Sequence, residues 1–392
     1  MHSVFSVVSV LALRVGYVLL LLAALTACSN KPNVVKPTEL ASFDSSFSVQ
    51  RVWHRHAGFG SMRAALELRP AVTESAVFVV DLNGRLQALN PRNGRLLWRR
   101  ETGQRISSPV TASDGLLLLG TRDGEALALS MEDGAERWRT QLSGEVLSAP
   151  ATDGDVAIFQ SQDGRVVALN LADGTEYWSF EVTVPPLTLR GTSAPLIDGR
   201  KVFAGFASGR VVALELSSGV PLWERRVAEP TGRSELDRLV DIDANLILDN
   251  GGLFVSSFQG KLAVLDEDSG RIYWDRDMST ANRVASAVGL MYLADDDGVV
   301  WAIDQRSGNP VWQQEGLRAR QLTGVALHEG QVVVGDRAGY LHWLDPDSGA
   351  FVARRRHDPD GFAATPIVSG ETLYAVSGDG EITAYRLKAR RR

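Results

Sequence analysis

The chain has 392 residues, 44% of them apolar and 22% charged, which is enough for a large packed core and too balanced for a disordered or collagen-like chain. Lys and Arg number 41 against 47 Asp and Glu, a formal charge of -6 with both signs interspersed, so a nucleic-acid surface is not expected. The single cysteine, Cys28, excludes an internal disulfide and any Cys-built zinc, iron–sulfur or haem-attachment site, and 37 Gly spread at short intervals argue against a helical architecture.

Taken from the N-terminus, residues 15–27 (VGYVLLLLAALTA) form an uncharged apolar run behind Arg14, the pattern of a secretory signal peptide. A permanent membrane anchor is the alternative, since residues 3–13 are also mostly apolar, but Arg14 interrupts the longer span and the second run is short for a hydrocarbon core of about 30 Å. The run ends Leu25-Thr26-Ala27-Cys28, which resembles the lipobox of bacterial lipoproteins, and Cys28 is expected to become a lipidated N-terminus after cleavage. By the same analogy Ser29, where an Asp would retain the protein at the inner membrane, implies the outer membrane. The polar segment that follows, with Pro32 and Pro37, reads as an extended tether. The expected organisation is a signal peptide at 1–27, lipidated Cys and tether at 28–45, a folded body at 46–387 and a basic tail at 388–392.

The body carries one internal period: a Gly, a second Gly ten residues on, and a Trp four residues later. It recurs at Gly84/Gly94/Trp98, Gly124/Gly134/Trp138, Gly164/Gly174/Trp178, Gly209/Gly219/Trp223, Gly260/Gly270/Trp274 and Gly298/Gly308/Trp312. A seventh copy, Gly339/Gly349, has Ala353 in place of Trp, and an eighth begins at Gly380 shortly before the chain ends. Within the second copy, residues 116–121, 125–130 and 136–140 read as strands joined at Asp123-Gly124 and Asp133-Gly134, with an innermost strand near 107–111. Four antiparallel strands per roughly 40 residues is the period of a β-propeller, with the Trp packing between neighbouring blades. Residues 47–53 (FSVQRVW) resemble a fourth strand without a repeat of their own. Pairing with the strands near 372–376 and 381–386, they would close the ring, making an all-β fold of eight four-stranded blades rather than seven.

Scaffold positions specify a fold, so function is sought where the spacing departs from the period. The interval from Trp to the next turn Gly lengthens between Trp178 and Gly209 and again between Trp223 and Gly260. Both excesses fall in the connection from the outer strand of one blade to the inner strand of the next, so they should emerge side by side on one face. The first, residues 182–195, carries Pro185-Pro186, Leu187, Leu189 and Arg190; the second, residues 228–246, carries a short helical turn near Ser234 and the pair Asp241 and Asp243. Apolar Leu with one Arg and two carboxylates makes a protein-binding patch. The plainer reading is that Arg190 and the Asp pair merely tie the loops together, and the two readings are compatible.

With these features in hand, the chain resembles the BamB family, the propeller lipoproteins of the outer-membrane β-barrel assembly machinery, whose repeats are similar to those of pyrroloquinoline quinone (PQQ) dehydrogenases. The segments LTLRGTSAP (187–195) and SELDRLVDID (234–243) are the most specific matches. The resemblance implies a non-catalytic scaffold without cofactor or metal. It also implies that Leu187, Leu189, Arg190, Asp241 and Asp243 dock the central subunit BamA through its periplasmic POTRA domains, alongside other Bam-complex subunits and unfolded outer-membrane protein clients. The rival classes are a PQQ-dependent quinoprotein dehydrogenase and another periplasmic binding propeller. Against the enzyme, a single Cys forbids an adjacent-Cys pair, and no constellation of catalytic carboxylate and calcium ligands stands out. Asp295-Asp296-Asp297-Gly298 reads as a solvated hairpin turn, His54 and His56 as surface residues, and Arg354-Arg355-Arg356 as an edge strand.

Overall fold

The computed structural model describes residues 35–58, 66–189, 192–229, 233–234, 236–357, 359–362 and 364–390. The segment expected to be a signal peptide, and Cys28, lie outside them. The chain divides into Met1–Pro37 and Thr38–Arg392, and the fold below is that of the second unit. No helix among the described residues is long and apolar enough to cross a membrane.

Eight four-stranded antiparallel sheets form the blades of a β-propeller. In the second blade the strands are Thr111–Ser113, Leu116–Gly120, Glu125–Ser130 and Glu136–Gln141. The two middle strands, LLLLG and EALALS, are buried almost throughout because neighbouring blades cover both of their faces; the outer strand, ERWRTQ, buries its Trp and exposes most of the rest. The innermost strand corrects the sequence expectation, since it occupies 111–113 and not 107–111. Pro109 has no N–H to give a ladder. Ser107 and Ser108 instead direct their backbone N–H groups to the carbonyl of Gly120, while the Ser108 hydroxyl accepts from Gly120 N at 2.7 Å.

The Gly–Trp period is a latch between blades. Trp138 donates from Nε1 to the carbonyl of Leu171 at 2.8 Å, in the last turn of the next blade, and its ring lies flat over Gly174. That Gly has φ +74°, and a Cβ there would sit 2.6 Å from Cε3 of the indole, so both conformation and space require glycine. The same indole-to-turn bond joins Trp53 to Pro91, Trp98 to Met131, Trp178 to Leu216, Trp223 to Glu267, Trp274 to Gln305 and Trp312 to Pro346. Each Trp therefore serves the blade after its own.

Phe47–His56 pairs antiparallel with Glu381–Ala389 as the outer strand of the eighth blade, with Trp53 opposite Ala384. This closure accounts for Ala353. The eighth blade takes its outer strand from the other end of the chain, so it has no turn between its third and fourth strands for an indole of the seventh blade to seal. Val352 and Ala353 pack there against Trp343, Tyr385, Phe47 and Val49.

The segment read as a free tether as far as residue 45 is docked from Thr38 onward. Thr38 N donates to Arg318 O, Arg320 Nη1 donates to Thr38 O at 3.0 Å, and Arg354 Nη1 donates to Ala41 O at 2.9 Å. The Arg354 guanidinium also lies 4.9 Å from the ring centres of Phe43 and Phe351. Beneath it a buried network holds both arginines: Arg320 Nε reaches Asp336 at 2.6 Å, His342 Nε2 meets the same oxygen at 3.0 Å, and Arg354 Nε donates to His342 Nδ1 at 3.1 Å. Arg354 lies on the seventh blade's outer strand, Phe351–Arg356, and is part of a packed site as well as an edge. At the other end, the final strand runs on to Ala389 and takes in the start of the expected tail.

Candidate docking face and channel mouth

The connections from each outer strand to the next inner strand meet at one end of the central channel. The two long ones, residues 182–195 and 227–246, lie in consecutive blade junctions. They are joined by a hydrogen bond from Leu189 N to Asp241 Oδ2. The second loop is pinned beneath by Ile242, fully buried against Gly205, and by Leu239, Val240 and Leu246. Further bonds fix its backbone: Phe258 N donates to Asp241 O at 2.9 Å and Ile242 N to Phe206 O at 3.4 Å.

Asp241 is fully buried, so it secures the Leu189 loop and presents no side-chain surface of its own. Arg190 lies outside the described residues, as do parts of the second loop. Leu187 is 40% exposed, and Leu236, in the short 3-10 turn Leu236–Arg238 where the sequence pattern placed a helical turn, is 65% exposed. Leu236 was not singled out from sequence, although an apolar residue in a polar loop was the available signal. Leu189 is half-buried and turns inward to the cavity described next.

Burial raises the Asp241 carboxyl to about 6, with the Leu189 N–H opposing. Burial, reinforced by the neighbouring Asp241 charge, pushes Asp243 up to about 7. One oxygen of each carboxyl, Oδ1, is buried without a hydrogen-bond partner. The Asp pair thus sits where a proton or a donor from outside would be accommodated.

Behind the loops the channel opens into a cavity of about 530 Å³. Its walls are the segments just before the inner strands, so no stretch of sequence marks it. Glu67, Arg69 and Arg283 meet there. Glu67 Oε1 accepts from Thr365 N at 2.8 Å and Thr365 Oγ1 at 2.5 Å, and its Oε2 lies 3.4 Å from Arg69 Nε. Burial raises the Glu67 carboxyl, but Arg69, Arg283 and the Thr365 bonds outweigh it and hold the group below its ordinary value.

A family model described as "Outer membrane protein assembly factor BamB" matches residues 82–314 and 296–392. A curated BamB of Pseudomonas aeruginosa is 44% identical over 369 residues, covering 94% of this chain and 97% of the relative. The chain belongs to the BamB family. Among solved structures, BamB from Moraxella catarrhalis superimposes with a TM-score of 0.78 at 26% identity, covering 86% of this chain and all of that one. A quinohemoprotein alcohol dehydrogenase from Comamonas testosteroni shares the fold at a TM-score of 0.69 and 14% identity, over 88% of this chain and 77% of that one. At that identity the likeness is one of architecture alone.

The quinoprotein fold raises the question of a calcium-bound quinone, and the residues present do not fit one. Among the described residues no three His, Cys, Asp or Glu side chains are gathered to hold a metal. Of the cavity's two carboxylates, Glu67 is engaged by Arg69 and Thr365, and the charged form of Asp243 is disfavoured by burial and by Asp241 beside it. Neither is disposed as an anionic calcium ligand.

Proposed function

We propose that this BamB-family chain is a non-catalytic scaffold subunit of the outer-membrane β-barrel assembly machinery, held to the outer membrane by a lipid on Cys28 with the propeller in the periplasm. Its docking face is the pair of loops at residues 182–195 and 227–246, and the partner is the central subunit BamA, engaged through its POTRA domains. The reading rests on family membership together with one observation: the only two consecutive junctions lengthened beyond the repeat are tied to each other by the Leu189–Asp241 bond. That bond gives two loops a single fixed shape, which lowers the ordering cost of binding. Leu187 and Leu236 supply the apolar contact and Arg190 the charged element.

The test is co-purification from detergent-solubilised membranes. Leu187→Glu and Arg190→Glu should each lose BamA while retaining the wild-type melting temperature. Full recovery of BamA with both variants would remove this face from the interface.

A further inference from the structure

The cavity behind the loops contains more unsatisfied polar groups than the docking reading uses. Ser148 Oγ, Thr192 Oγ1 and Asp243 Oδ1 line it, each buried without a hydrogen-bond partner, and Arg69 Nε makes no hydrogen bond and meets only Glu67 Oε2, at 3.4 Å. They come from four different blade junctions and converge on one space. Arg283, from a fifth, makes no side-chain hydrogen bond or ion pair with any described residue. The position is built for it: a Cβ on Gly324 would lie 2.7 Å from Arg283 N and 2.5 Å from Thr365 Oγ1, so only glycine lets these groups close in.

The charge around Arg283 is also incomplete. Arg69 and Arg283 are near enough to repel one another, and a single carboxylate, Glu67, serves both. Burial, with the Arg69 charge second, draws the Arg283 guanidinium down to about 10 while Glu67 opposes. Arg283 is half-buried, and a partly desolvated guanidinium without a protein acceptor carries a cost that an added anion offsets. The remaining wall is mixed: Leu66, Leu147 and Leu322 give it apolar surface, beside polar residues such as Asn245, Asn282 and Gln321 and a further cation, Arg337.

We propose that the cavity is a receptor for a small organic carboxylate, its anionic end held between Arg69 and Arg283 and its carbon body against Leu66, Leu147 and Leu322. Bidentate guanidinium donors suit a planar carboxylate. The Ser148 and Thr192 hydroxyls would satisfy a second polar group, and the leucine side chains offer nothing to a compact multiply charged anion such as phosphate. The volume lies in the range of small-molecule sites. The proposal is independent of partner docking.

Isothermal titration of the full chain in detergent, with glutarate, neutral glutaramide and inorganic phosphate, tests it. Glutarate should bind one to one, glutaramide should not bind, and Arg283→Gln should weaken glutarate at least tenfold. In the wild type, glutarate should shift the Nε–H resonances of Arg69 and Arg283, a readout that does not depend on the variant folding. No saturable binding, equal affinity in a folded Arg283→Gln chain, or phosphate binding as well as glutarate would overturn the assignment. Retention of BamA is measured separately, so either proposal can fail alone.

Discussion

At the scale of single residues, Asp241 and Asp243 carry the most distinct expectations. Both have folded-state values raised above the unfolded 3.8, so the fold binds protons that the unfolded chain has released. Their effect on stability is therefore harmless below about pH 4, and stability is lost as the pH rises through about 6 and 7. Asp243→Asn should flatten that loss and leave the protein about 1 to 3 kcal/mol more stable at pH 8, read from denaturant melts across pH 4 to 8. Asp241→Ala removes the acceptor for Leu189 N and should cost about 1 to 3 kcal/mol with faster amide exchange at Leu189, whereas Asp241→Asn keeps an acceptor and should cost less. If the alanine and asparagine variants behave alike, the Leu189 bond is not what holds the loops. The two carboxylates were visible in the sequence as a pair; that one faces the interior could not be, because it depends on Ile242 anchoring the loop between them.

At the scale of elements, the indole latch and the closing strand decide how blades hold together. Trp138→Ala should cost about 3 to 5 kcal/mol, since it removes a buried ring and strands the Leu171 carbonyl, and Gly174→Ala should also destabilise because φ and space are both wrong for alanine. A Gly174→Ala melt indistinguishable from wild type would mean that the ring moves aside freely. The recurrence of Gly and Trp was plain from sequence, but its partner was not: the two residues within a repeat do not touch each other, and each contacts the neighbouring copy. Arg354 shows the opposite case. Its place in a run of three arginines suggested only an edge strand, whereas stacking on Phe43 and Phe351 and the bond to Ala41 make it a clamp for the incoming chain. Arg354→Ala should leave the propeller folded and raise protease cleavage between residues 38 and 46 several-fold; unchanged cleavage would show that Arg320 suffices to hold the segment.

At the scale of the whole molecule, ring closure and the docking face are separable. Deleting residues 47–56 removes the outer strand of the eighth blade and the Trp53 latch onto the first, exposing an unpaired sheet edge. The expected result is a soluble yield reduced many-fold with aggregation, measured by light scattering. Replacing residues 229–238 with a short Gly-Ser linker, by contrast, spares the buried Leu239, Val240 and Ile242 and should shift the melting temperature by only a few degrees while abolishing recovery of BamA. Loss of folding in that variant would mean that the loop belongs to the scaffold.

The sequence by itself determined the architecture, because a propeller is built from local units: each hairpin is written in contiguous alternation, each tight turn in a glycine, and the number of copies in a count. It also located the two long loops, as departures from a period are visible without coordinates. What only the tertiary structure decided are the relations between copies: the indole of one blade on the turn of the next, the redundancy of a Trp beside the closing strand, the buried Asp241, and a cavity where Arg283 meets Glu67 and Arg69 from more than two hundred residues away in the chain. Those contacts arise from closing a ring, which brings together segments with no common pattern along the chain.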